Sequence, residues 1–201
     1  MMRKRCMAFI FFGVLMFSFS TPLSADDYYP LIVGAKWEYS MEIKQGGAEL
    51  TRVLEERCVG KKMINGKSYF EVVKGVPGIS SKQITSYIRK EEDGVYGIDG
   101  RYPDSPEQLL LKLPLTAGTT WVNETPSGKR TTYRVVGTET VSVNGKKYNN
   151  CIKVHGKQKT RNREYDGYAY YAPGVGPIKM EKTRRNDPSA MMIMELVTFE
   201  K

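Results

Sequence analysis

The octapeptide Pro-Leu-x-x-Gly-x-x-Trp occurs twice in this 201-residue chain, as PLIVGAKW from Pro30 and as PLTAGTTW from Pro114, and its last position uses both tryptophans. Proline fixes the backbone before each motif, glycine admits a turn that other residues resist, and tryptophan supplies a large apolar anchor. Further markers follow in the same order in each copy. A Val-Gly pair (Val59-Gly60, Val136-Gly137) precedes Asn-Gly-Lys-x-Tyr (Asn65 to Tyr69, Asn144 to Tyr148). An Asp-Gly with a nearby tyrosine comes next: Asp93-Gly94 with Tyr96, and Asp166-Gly167 with Tyr168. Such a series implies an internal duplication. Two copies are too few for a solenoid, so the expectation is two β-meander halves completing one core, the first over about 28–104 and the second over about 105–201. The tryptophans then read as core anchors rather than ligand platforms.

The intervening residues support strands. In WEYSMEIK, from Trp37, apolar and polar residues alternate strictly, as in a strand with one buried face. Gln45-Gly46-Gly47 breaks it, and 49–59 reads as a second strand. Asn65-Gly66 predicts a two-residue type I′ hairpin pairing Ile64 with Lys67 and Lys62 with Tyr69. Residues 84–99 read as two strands around Asp93-Gly94. The stretch SPEQLLLKLPL is read as extended, with one helical turn as the alternative. The total is about ten to twelve strands and almost no helix: an all-β curved antiparallel sheet or half-open barrel.

The chain opens with Arg3, Lys4 and Arg5, an apolar run over about 7–19 and a short polar end. This reads as a secretory signal peptide over 1–25, cleaved after Ala25; a retained membrane anchor is the alternative. Removing residues 1–25 takes three positive charges and leaves 28 Lys plus Arg against 22 Asp plus Glu, or +6. That is a mildly basic surface with no nucleic-acid arm, and no further segment approaches transmembrane length. The remaining 26–201 suffices for one β domain with a real core. An exported location, periplasmic or secreted, permits a disulfide between the two remaining cysteines, Cys58 and Cys151; two separate buried thiols are the alternative.

No motif supplies catalysis, and the expectation is a non-enzyme with no cofactor and no metal site. His155 is the chain's single histidine, Glu91, Glu92 and Asp93 fall at a turn, and no serine lies in a nucleophile elbow. Gly174-Val175-Gly176 lacks the remaining glycine of a dinucleotide fingerprint and reads as a turn. Asn123-Glu124-Thr125 matches a glycosylation sequon. Lys153, His155, Lys157, Lys159, Arg161 and Arg163 occupy alternate positions, so an unbroken strand would align them on one face. Lys157, Lys159, Arg161 and Arg163 are thus candidate contacts for an anionic surface; a charged edge that discourages aggregation is the simpler account.

The leader, Tyr-Tyr-Pro-Leu-x-x-Gly-x-x-Trp-x-Tyr from Tyr28 to Tyr39, the second Pro-Leu motif and YYAPGVGPIK from Tyr170 together resemble a family of exported bacterial all-β proteins of unknown function. The resemblance covers nearly the whole mature chain. It implies a strongly curved sheet, loosely similar to the half-open barrels of periplasmic lipoprotein carriers, and carries over no catalytic residue. Two functions fit these observations. One is an envelope protein whose sheet binds an apolar or lipid-like ligand, for which the tyrosines of 165–171 and Met191, Met192 and Met194 are motivating residues. The other is a structural or interaction module that holds another envelope protein.

Overall fold

The computed structural model describes residues 28–79, 83–125 and 128–201, so the leader and its cleavage site lie outside the described residues. The described residues form twelve strands: β1 (Lys36–Gln45), β2 (Ala48–Ile64), β3 (Lys67–Gly75), β4 (Ile84–Glu91), β5 (Gly94–Asp99), β6 (Gln108–Lys112), β7 (Thr120–Glu124), β8 (Arg130–Val143), β9 (Lys146–Lys159), β10 (Glu164–Ala172), β11 (Gly176–Arg184) and β12 (Asp187–Glu200). All belong to one antiparallel sheet in the order β6-β5-β4-β3-β2-β1-β12-β11-β10-β9-β8-β7. Two six-stranded meanders therefore meet at the β1–β12 ladder. Strands β6 and β7, at the two ends of this order, lie close together without pairing, and the sheet is a barrel with one unsealed seam. The segment SPEQLLLKLPL supplies β6 as an extended strand; β6 closes the first meander rather than opening the second.

Local chemistry explains the hairpins. Asn65 and Gly66 have φ of 48° and 77°, and Asn144 and Gly145 have 47° and 77°, as type I′ turns require. The register follows: Ile64 pairs with Lys67 and Lys62 with Tyr69. Asp93-Gly94 also lies at a hairpin, one residue displaced, because Glu91 pairs with Gly94. Asp166-Gly167 does not. It sits inside β10, paired on both sides, and a Cβ on Gly167 would lie 2.1 Å from the Glu181 carbonyl oxygen. There the glycine allows a close approach between strands, so this last marker of the duplication is not an equivalent turn.

The remaining markers are physically joined. In the first motif, Ala35 N–H donates to Ile32 O at 3.0 Å around Gly34, whose φ is 94°; in the second, Thr119 N–H donates to Thr116 O at 3.1 Å around Gly118, at 95°. Gly34 N–H then donates to Cys58 O at 2.8 Å, and Gly118 N–H donates to Val135 O at 2.9 Å. Cys58 and Val135 each precede a Val-Gly pair, and each pair is a β-bulge, falling at Cys58/Gly60 and Val135/Gly137. The extra residues, Val59 and Val136, are pushed outward and are 46% and 48% exposed. Each opening turn is thus clasped to the bulge in the second strand of its own half, β2 or β8.

Trp37 and Trp121 face inward at this end of the barrel, with Tyr28, Leu31, Ala35, Leu115, Val143 and Ile178 around them in one buried cluster. The barrel base is therefore packed. Trp37 stacks on Phe199 with centroids 5.1 Å apart, and Trp121 stacks on Tyr133 at 5.0 Å. Cys58 and Cys151 belong to the same cluster but are free thiols, so the expected disulfide is not formed. In the sheet β2 and β9 are separated by β1, β12, β11 and β10. Cys151 Sγ donates to Tyr148 O at 3.4 Å, and burial pushes both thiols above their ordinary pKa. Cys151 is fully buried.

Candidate ligand-binding site

Above the packed base the walls separate. Alternation on β8 to β12 sends Tyr133, Val154, Tyr171, Met180, Met192 and Met194 inward, where they line a cavity of about 360 Å³ with Tyr29 and Leu110. That volume lies near the lower end of the ~300–1,000 Å³ typical of small-molecule pockets. Gly156 and Ala169 on β9 and β10 widen it by presenting little or no side chain. Burial raises the Tyr29, Tyr133 and Tyr171 hydroxyl pKa values, keeping these phenols neutral. The lining is aromatic and sulfur-rich, and methionine adapts readily to irregular apolar ligands.

A smaller space of about 280 Å³ lies on the first-half side, sharing Tyr29, Glu56, Lys74 and Leu110 with the larger one. Between the two, Lys74 Nζ sits 3.1 Å from Glu56 and over the Tyr39 ring at 5.4 Å. This interior cation is neutralised by its partner. Lys182, on β11, has a different environment. Its Nζ donates to Gln158 Oε1 at 2.7 Å and lies 4.4 Å from the Tyr165 ring centroid, with no carboxylate at pairing distance among the described residues. Burial first, and then the Lys129 charge, hold its ammonium below the usual lysine pKa.

Lys182, Gln158, Tyr165 and Met192 also border a wider opening of about 610 Å³ at the end of the barrel opposite the base. Lys44, Arg161, Arg163 and Arg184 complete its cationic lining, which contains no carboxylate. Lys44 is paired away with Glu42 at 2.6 Å, and Arg184 Nη1 reaches Asp187 at 3.5 Å, yet Arg184 Nε is buried without a hydrogen-bond partner.

The structure divides the alternating basic run. Strand β9 ends at Lys159, and Thr160 N–H donates to Arg163 O at 2.9 Å, turning the chain. Lys157 and Lys159 remain on the outer face, where Lys159 lies 3.9 Å from Glu164, while Arg161 and Arg163 border the barrel mouth. Lys153 pairs with Glu139 at 3.3 Å beneath Tyr168 and Tyr170. His155 Nε2 is 2.7 Å from Asp166 and stacks on Tyr168. Among the described residues no group of three or more His, Cys, Asp or Glu side chains is placed to hold a metal ion. Asn123 of the sequon faces inward and is 8% exposed. Gly174-Val175 forms the β10–β11 turn, and its Val175 carbonyl accepts from Trp37 Nε1 at 2.7 Å, so the YYAPGVGPIK segment and the first Pro-Leu motif are structural partners.

Sequence reasoning noted Tyr165, Tyr171, Met192 and Met194 but missed Tyr29, Tyr133, Gln158 and Lys182. Lys182 sits at an inward position of MEKTR, and only its strand register distinguishes it from its charged neighbours.

This architecture has solved counterparts. A Bacteroides fragilis protein, provisionally named as exported and with a YmcC-like fold, matches 87% of this chain and 99% of its own at 14% identity and a TM-score of 0.55. A Parabacteroides distasonis protein, provisionally named a lipoprotein, matches the same shares at 13% identity and a TM-score of 0.51. These likenesses establish a shared fold. No protein-family model matches the chain, and no curated protein matches it significantly.

Proposed function

We propose that this is a non-enzymatic exported protein of the cell envelope that binds an apolar, lipid-like ligand inside its barrel. The observation that carries the reading is the cavity of about 360 Å³ behind an open mouth, lined by tyrosine and methionine, while the opposite end is filled. Support for export comes from the signal-peptide-like leader and from the provisional names of the two structural relatives. The interaction-module alternative drew on an exposed edge strand or the basic face; the turn at 160–163 separates Lys157 and Lys159 from Arg161 and Arg163, while β6 and β7 remain the edge strands of the seam. Native mass spectrometry of the protein purified from its exporting cell tests the ligand reading. A bound small molecule, lost when Ala169→Trp fills the cavity of a still-folded protein, is the expected result. A chain that is always ligand-free and takes up no alkyl probe overturns it.

A further inference from the structure

The cavity and its mouth differ in chemistry. The cavity walls are mainly tyrosine, methionine and other apolar side chains, with Glu56, Lys74, Lys129 and Glu181 among them, whereas the mouth brings Lys182, Arg161, Arg163 and Arg184 to one opening without a lining carboxylate. An interior cation without a counter-ion is unfavourable, because burial removes hydration and nothing replaces it. The same barrel shows the ordinary solution at Lys74, which is paired with Glu56. Lys182 has only a neutral amide oxygen and an aromatic face, and the buried Nε of Arg184 has no acceptor. Tyr165 points its hydroxyl among these groups, and its hydrogen bond from Arg163 lowers its pKa.

We infer that the ligand is an amphiphile with an anionic head, its alkyl chain lying between the walls and its carboxylate or phosphate held at the mouth by Lys182, Arg163 and Arg184. This rests on the apolar-ligand reading and narrows its chemical class. A free inorganic anion would satisfy the cations but leave the tyrosine and methionine lining against water. A neutral apolar molecule would fill the cavity but leave Lys182 unpaired. The modest cavity volume suits one alkyl chain.

The test holds the chain constant and varies the head. Dodecanoate, dodecyl phosphate, dodecanol and dodecyltrimethylammonium are titrated calorimetrically into the full mature protein freed of copurified lipid, with inorganic phosphate as a separate probe. The two anionic amphiphiles are expected to bind at least tenfold more tightly than dodecanol, with an advantage that shrinks as salt rises, and the cationic one no better than dodecanol. Lys182→Met should abolish the anionic advantage over dodecanol; Arg163→Glu, at an exposed turn, should reduce it without a folding risk. Equal affinity for dodecanol and the anionic amphiphiles overturns the head assignment while the cavity reading stands. Inorganic phosphate binding as tightly as dodecyl phosphate overturns the amphiphile in favour of a free-anion site. If no alkyl probe binds, both readings fall together.

Discussion

Trp37 and Trp121 occupy the same position in two copies of one motif, are 4% and 6% exposed, and stack on aromatic partners at nearly equal distances. Only Trp37 completes its polar contact: its indole N–H reaches Val175 O, while the Trp121 N–H is buried without a partner. The halves share a scaffold and have diverged in what is attached to it. The outer face of the first half carries a lock in which Glu107 accepts from Tyr69 at 2.5 Å, Lys67 at 3.2 Å and Arg89, pinning the chain before β6 over the small Tyr69–Tyr87–Ile98 cluster. Among the described residues the second half shows no such strap, and it supplies most of the cavity and the cationic mouth. The two halves share the devices that shape the barrel and differ in the side chains set upon them.

The largest expected effect comes from removing the tryptophans. Trp37→Ala and Trp121→Ala should each cost ~3–5 kcal/mol in denaturant unfolding, with Trp37 the costlier by ~1 kcal/mol because its bond is lost too. Equal costs would remove the asymmetry. Next comes the lock: Glu107→Gln should cost ~2 kcal/mol by leaving the 8%-exposed Arg89 without its main partner. Hydrogen bonds from Arg89 hold the Glu107 carboxyl down to about 2, against an ordinary 4.5. A folded pKa below the unfolded one means this stabilisation is complete above about pH 4.5 and is lost as pH falls toward 2. Stability-versus-pH curves of wild type and Glu107→Gln should therefore converge in acid and remain parallel near neutrality.

Milder substitutions isolate the indole bond. Trp37→Phe should lose ~1–2 kcal/mol more than Trp121→Phe, which removes a buried unsatisfied donor and should be close to neutral beyond its lost area. The smallest effects test what the halves share. Gly34→Ala and Gly118→Ala meet no atom within 4 Å, so only the left-handed backbone opposes them, at about 1–2 kcal/mol each. Thermal unfolding that gave clearly different costs would show that the two turns are not equivalent.

These comparisons also explain what the sequence could convey. Asn65-Gly66 and Asn144-Gly145 were readable to the residue, because a type I′ turn is a local demand on two φ angles. The Val-Gly pairs were visible as repeated letters but not as bulges, since a bulge is defined by the facing strand. Asp166-Gly167 misled because glycine serves two purposes: at Gly66 it bends the chain, and at Gly167 it lets another backbone approach. The basic run was read correctly in alternation as far as Lys159, where the hydrogen bond from Thr160 to Arg163 ended the strand. Lys182 was illegible as a lining residue because what sets it apart, having no carboxylate at pairing distance among the described residues, is a property of three-dimensional neighbours.

The β1–β12 ladder has a consequence for how such a chain reaches its fold. Every other ladder joins strands consecutive in sequence and can zip up from its own turn. This one must bring together segments more than a hundred residues apart, so loop-closure entropy predicts that it forms last. A circularly permuted chain that linked β12 to β1 and opened between β6 and β7 would make all eleven ladders sequence-local. It would have the same barrel to build and no distant ends left to find.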